Sequence, residues 1–170
     1  MPIKQASLRQ FATAGVDDRS GSLKVAKSQG RKTAFLCHSH LDVDLAERLQ
    51  NCLQTNGWKI YIDWKDASLP ATPNKETAEA IQKKITELDW FLFLATENSM
   101  RSRWCPWELG YADGKRGRDR IAIVPTIDDR GNTYGAEYMA LYQRVDINAS
   151  GKWALIDVGY QYGKELHELG

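Results

Sequence analysis

The chain has 170 residues, 42% hydrophobic and 26% charged, which suits one globular domain with its own core and argues against wholesale disorder. Lys and Arg total 23 against 22 Asp and Glu, a formal charge of +1, so neither nucleic acid nor an anionic membrane is indicated as the main partner. No apolar run approaches the ~20 residues that span a bilayer, residues 1–31 lack a secretory apolar core, and three cysteines form no framework; reduced thiols in a cytoplasm are the expectation.

Residues 1–30 are polar and interrupted by Gly15, Gly21 and Gly30. They read as an N-terminal extension with little structure of its own, in which Leu8, Phe11 and Ala12 form at most one amphipathic turn. The domain proper is expected over 31–170. Thr33–Cys37 is a short apolar strand ending in the polar turn His38-Ser39-His40. Leu41, Leu45, Leu49 and Leu53 then recur every four residues beside Ala46 and Cys52, which predicts an amphipathic helix stopped at Gly57. Lys59–Ile62 reads as a second strand, followed by a loop from Asp63 to about Asn74. Ala78, Ile81, Ile85 and Leu88 mark a second helix.

Trp90–Ala95 is apolar on both faces, as in the centre of a parallel sheet covered by helices. The segment Ser102-Arg103-Trp104-Cys105-Pro106-Trp107-Glu108-Leu109 opens a further helix, and Ile121–Pro125 supplies a fourth strand. Beyond Thr126 the pattern weakens to a short strand over Arg144–Ile147 and a short helix. Alternation of strands and helices with short connections implies a doubly wound, mainly parallel α/β sheet of flavodoxin-like type. Ligands of such sheets bind beyond the carboxyl ends of the strands, where His38, Asp63 and the approach to Glu108 all lie.

Glu108 has two readings. An apolar surround of indoles, proline and thiol would raise its pKa, as catalytic carboxylates often require. Alternatively, with Cys105 as N-cap and Pro106 first in the helix, it is a third-position glutamate favoured by the helix dipole. Zinc at Cys37, His38 and His40 is disfavoured, because closed four-ligand spacing is missing. Gly110-Tyr111-Ala112-Asp113-Gly114-Lys115-Arg116 has three residues between its glycines and no Ser or Thr, so it is no phosphate loop. Neither a dinucleotide glycine fingerprint nor a serine elbow is present, which disfavours a redox NAD enzyme and a serine hydrolase.

These residues resemble the Toll/interleukin-1 receptor (TIR) domains, over about Arg31 to Asp128. Lys32–His38 is similar to the family's first box, Asp63-Trp64-Lys65-Asp66 to the start of its variable loop, and Ser102–Leu109 to the Ser/Trp/Cys/Glu motif of members that consume NAD. The variable loop departs from the pattern, since Pro70 and Pro73 remove amide donors that loop-mediated assembly would use.

The resemblance implies cleavage of the nicotinamide–ribose bond of NAD as substrate, with no cofactor and no metal. Glu108 would be catalytic, and His38, Ser39, Asp63, Trp64, Ser102 and Trp104 would contact substrate. Trp107 is read as packing against the sheet, and Ser102 has helix capping as its default role. The resemblance is to the TIR component of Thoeris-like antiphage defence, so a homo-oligomer and a separate effector answering an ADP-ribose-derived signal are expected partners. A non-enzymatic TIR adaptor and a nucleoside deoxyribosyltransferase-like enzyme are the rival readings.

Overall fold

The computed structural model describes residues 2–11, 23–66 and 74–169. Thr33–Cys37 forms a strand buried along its whole length. It is the second in chain order, because Ile3–Lys4 makes a short β1. Taking Thr33–Cys37 as β2, the others are β3 (Lys59–Tyr61), β4 (Trp90–Ala95), β5 (Ile121–Ile127), β6 (Gln143–Ile147), β7 (Trp153–Ile156) and β8 (Lys164–Glu165). The helices are α1 (Gln5–Leu8), α2 (Leu23–Ser28), α3 (Val43–Thr55), α4 (Lys75–Glu87), α5 (Glu97–Arg101) and α6 (Trp104–Lys115).

The strands lie in the order β3-β2-β4-β5-β6-β7-β8, with β1 paired to β5. All pairings from β3 through β6 are parallel. Those five strands, numbered among themselves, run 2-1-3-4-5, the flavodoxin-like order, whose switch point falls between β2 and β4. The β2–β4 register sets Phe35 beside Phe91 and Cys37 beside Phe93, and Phe35 stacks on Phe91 with ring centroids 5.7 Å apart.

Side-chain alternation divides the core into two layers. Ala34, Leu36, Leu92 and Leu94 face α3, whose Leu45, Leu49 and Leu53 are buried there. Phe35, Cys37, Phe91 and Phe93 face α4 and α6, through Ile81, Ile85, Cys105 and Leu109. Leu41 is the exception to the leucine stripe. It lies in the one-turn 3-10 segment His40–Asp42, ahead of α3, and is 69% exposed. Gly57 ends α3 at φ 87°, a conformation that suits a residue without Cβ. α4 begins with a reciprocal cap between Asn74 and Thr77.

Two regions hold more structure than sequence periodicity predicts. In the N-terminal stretch, Ile3 and Lys4 pair with Thr126 and Ile127, Gln5 Nε2 donates to Thr126 Oγ1 at 3.0 Å, and Leu8 is fully buried. This stretch is docked against the sheet. Ala12 lies outside the described residues. In the tail, β7 and β8 add antiparallel strands after β6. The chain end is anchored too: Trp58, almost fully buried, donates its indole N–H to the Leu166 carbonyl at 3.1 Å.

Candidate active site

Glu108 sits on α6, the helix that covers the ends of β2 and β4 on the second core layer. Cys105, Leu109 and Ala112, at i, i+4 and i+7, form the buried stripe of α6. Trp104, Glu108, Tyr111 and Lys115 occupy the adjoining flank at i, i+4, i+7 and i+11. Helix entry is fixed by Ser102, whose hydroxyl accepts from the backbone N–H of Trp104 at 3.2 Å and of Cys105 at 3.3 Å. Ser102 therefore caps the helix.

The first helical residue is Trp104, with Arg103 at the N-cap, two residues earlier than the sequence predicts. Glu108 consequently falls fifth, past the turn in which the helix dipole favours a carboxylate. It is only 5% exposed, which no solvated cap glutamate would be. Burial pushes its carboxyl up to about 8, and Cys105 and Asp63 add to that rise. A hydrogen bond from Cys37 opposes it. The helix-start reading of Glu108 is thus replaced by a buried, proton-retaining carboxylate.

The strand-end residues separate into groups. His38 and Ser39 are buried. The His38 Nδ1–H donates to the Leu36 carbonyl at 3.0 Å, and its buried Nε2 has no hydrogen-bond partner among the described residues. Ser39 caps the following 3-10 turn by accepting from the Leu41 N–H, and His40 is exposed. The residue of this strand that touches Glu108 is Cys37.

After β3, Asp63–Lys65 forms a 3-10 turn in which Asp63 is close enough for its charge to act on Glu108 and Cys105. Trp64 is 43% exposed, with the Lys65 ammonium 5.3 Å from its ring. Lys65 is pinned to α3 through Glu47 at 3.1 Å and Gln50 at 2.9 Å. Pro70 and Pro73 lie outside the described residues.

The two indoles of α6 exchange the roles expected of them in part. Trp104 is half-buried against the second core layer, whereas Trp107 is 38% exposed and is not packing on the sheet. Trp107 meets the edge of Trp104 at 5.4 Å and stacks on Tyr111 at 6.1 Å. Burial of α6 is left to smaller side chains because Cys105, Leu109 and Ala112 already fill its inner stripe.

Sequence reasoning missed Asp42 and Thr96. Asp42 is buried and accepts hydrogen bonds from Thr96 Oγ1 and from Asn98 Nδ2 at 2.7 Å. It thereby ties the turn after β2 to the turn after β4, across the switch point. The Thr96-x-x-Ser99 spacing, which forms a reciprocal cap, was the available signal for that turn. The tail makes its own clefts. One, of 370 Å³, is lined by Ile123, Pro125, Tyr134, Met139, Tyr142 and Arg144 among others, at the far side of β5.

The TIR domain family pattern matches residues 34–156, most of the chain. The chain belongs to the TIR domain family. The domain is also 38% identical over 117 residues to a probable 3′ cyclic ADP-D-ribose synthase, ThsB′, of Bacillus cereus (strain MSX-D12). That match covers 65% of this chain and 58% of the relative, so the TIR protein spans little more than half of the relative's length. Among the described residues, no helix of this TIR domain is long and apolar enough to cross a membrane.

Proposed function

We propose that this TIR domain cleaves the nicotinamide–ribose bond of NAD and forms an ADP-ribose-derived product, cyclic or conjugated, through Glu108. The buried carboxylate of Glu108, on α6 beyond the end of β2, is the observation that carries this reading. Nicotinamide leaves with the bonding electron pair, which neutralises its ring nitrogen, so no proton donor is needed. The ribose carbon left behind acquires oxocarbenium character, and a nearby carboxylate stabilises it most effectively where water is excluded.

The raised proton affinity of Glu108 fits both halves of the reaction. A pyridinium within a few ångströms favours the ionised carboxylate, so arrival of NAD expels the proton held in the empty site. The nucleophile that captures the ribose carbon, a hydroxyl of the same molecule or water, sheds a proton. A carboxylate of pKa about 8 is well matched to accept it. Net, NAD gives nicotinamide, a cyclic product (or ADP-ribose, with water consumed) and one proton. The relative named as a probable 3′ cyclic ADP-D-ribose synthase supports the cyclic outcome.

Trp104, on the same flank as Glu108 and one turn before it, is the aromatic face assigned to the substrate. His38, Ser39, Asp63 and Trp64 complete the proposed surround, and Ser102 acts through the helix cap. A homo-oligomer, a separate effector answering the nucleotide, and a role in bacterial antiphage defence extend the same proposal on family grounds.

The test is mass spectrometry of NAD incubated with the protein at high concentration, with deoxynucleosides as a parallel substrate. Nicotinamide and a cyclic or linear ADP-ribose product are expected. Turnover of deoxynucleosides alone would assign the transferase chemistry instead. Trp104→Ala is expected to lower kcat/KM for NAD by roughly ten- to a hundredfold, and Trp107→Ala by less, as losses of about 1.4–2.7 kcal/mol correspond to those factors. Steady-state kinetics of the two variants read the order directly.

A further inference from the structure

We propose that Asp42 is a positioning residue for the site on α6: through the turn after β4 it fixes where that helix begins, and so where Trp104 and Glu108 stand. The inference rests on the proposed function, because it names what holds the same carboxylate in place.

Asp42 ends the 3-10 turn after β2 and stands at the N-cap of α3, where an aspartate ordinarily accepts from the amides that follow it. Its side chain caps nothing there. The group is nevertheless only 6% exposed, and a buried carboxylate is costly unless donors meet it. Both of its oxygens are met from the turn after β4: Oδ1 accepts from Asn98 Nδ2 at 2.7 Å, and Oδ2 accepts from the Thr96 hydroxyl. The carboxylate thus serves the neighbouring turn and not its own helix.

From Thr96 the hydrogen bonds continue to α6 without a break. The Thr96 hydroxyl accepts from the Ser99 N–H at 3.0 Å. In return the Ser99 hydroxyl accepts from the Thr96 N–H at 2.9 Å and gives its own proton to the Thr96 carbonyl at 3.1 Å. Each hydroxyl has one proton, so that of Thr96 is left for Asp42. The Ser99 carbonyl then accepts from the Ser102 N–H at 3.3 Å, and the Ser102 hydroxyl accepts from the first two amides of α6. Thr96 and Ser99 are buried, which keeps water from replacing these bonds. α5, which lies within this chain of bonds, has five residues and is too short to be stable by itself. Its place is therefore set from the Asp42 end. Glu108 is one turn beyond Trp104, so a displacement at helix entry is carried to the carboxylate, and misplacing a reacting group by about 1 Å costs roughly 10²-fold in rate.

The experiment compares Asp42→Ala, Asp42→Asn and Thr96→Val with the unsubstituted protein by amide hydrogen exchange without substrate and by NAD kinetics. Asp42→Ala removes both acceptor oxygens, Thr96→Val removes the hydroxyl that links them to Ser99, and Asp42→Asn keeps one oxygen and the volume. Exchange over residues 97–107 is expected to quicken at least about tenfold in Asp42→Ala and Thr96→Val, while residues 44–53 of α3 keep their protection. In the same two variants kcat for NAD is expected to fall roughly 10- to 100-fold with KM within about threefold, and Asp42→Asn is expected to recover most of that loss. Unchanged exchange over 97–107 overturns the assignment. So does equal quickening of both segments, which a general loss of stability would give, or an unaltered kcat in the face of local quickening. Should Asp42→Ala fail to fold, Asp42→Asn and Thr96→Val read the same quantities. If local exchange quickens but no protein, the unsubstituted one included, cleaves NAD, the hold of Asp42 on helix entry stands and the NAD reading falls.

Discussion

Glu108→Gln is expected to reduce nicotinamide release from NAD by at least roughly 10²–10³-fold, the range for removing one dedicated electrostatic stabiliser. The amide keeps the size and much of the hydrogen bonding of the carboxyl group but cannot become an anion beside the developing ribose cation. In the unsubstituted protein, kcat/KM is expected to rise with pH towards a plateau, with its midpoint near the carboxyl value of about 8. Below that pH the empty site holds the proton, and NAD must displace it. Assays that quantify free nicotinamide between pH 6 and 9 check both statements. Full activity in Glu108→Gln would remove the carboxylate from the chemistry.

The same substitution is expected to stabilise the fold, increasingly so at high pH. An unfolded glutamate ionises at about 4.5, whereas the folded carboxyl retains its proton to about 8. Between those values the folded chain binds more protons, so stability falls as pH rises. The contribution is fully present below 4.5 and lost above 8. Each unit of separation is worth about 1.36 kcal/mol, which sets an upper bound of roughly 5 kcal/mol at alkaline pH. A neutral amide in the same place carries no such penalty. Thermal melts of Glu108→Gln and the unsubstituted protein should coincide near pH 5 and separate by roughly 5–15 °C near pH 8.5, taking about 2–4 °C per kcal/mol for a domain of this size. Parallel curves across that range would mean that Glu108 titrates normally in the fold.

Sequence periodicity captured the five parallel strands and helices α3, α4 and α6 because burial imposes their patterns directly. Trp90–Ala95 is buried at every position, so no polar residue breaks the run. β1 and β8 were illegible for the opposite reason. Two residues each cannot display a period, and their places depend on partners more than a hundred positions away or on an antiparallel return of the tail. Trp107 misled because a tryptophan beside a buried helix suggests packing, yet only the turn-by-turn phase set by Cys105, Leu109 and Ala112 decides which indole faces inward. Moving the helix start by two residues changes the expected role of Glu108 from cap to buried acid. Strand alternation places Cys37 in the core, but its approach to the Cys105 carbonyl at 3.8 Å arises from the crossing of β2 and α6, which spacing alone does not encode.

The two outermost strands of the sheet are short: β3 has three residues and β8 two, and β8 includes Lys164. Such stubs offer too few free backbone groups to template a neighbour's strand. Copies of this chain that gather would therefore do so through side-chain surfaces, giving assemblies that dilute apart instead of zipping into fibrils.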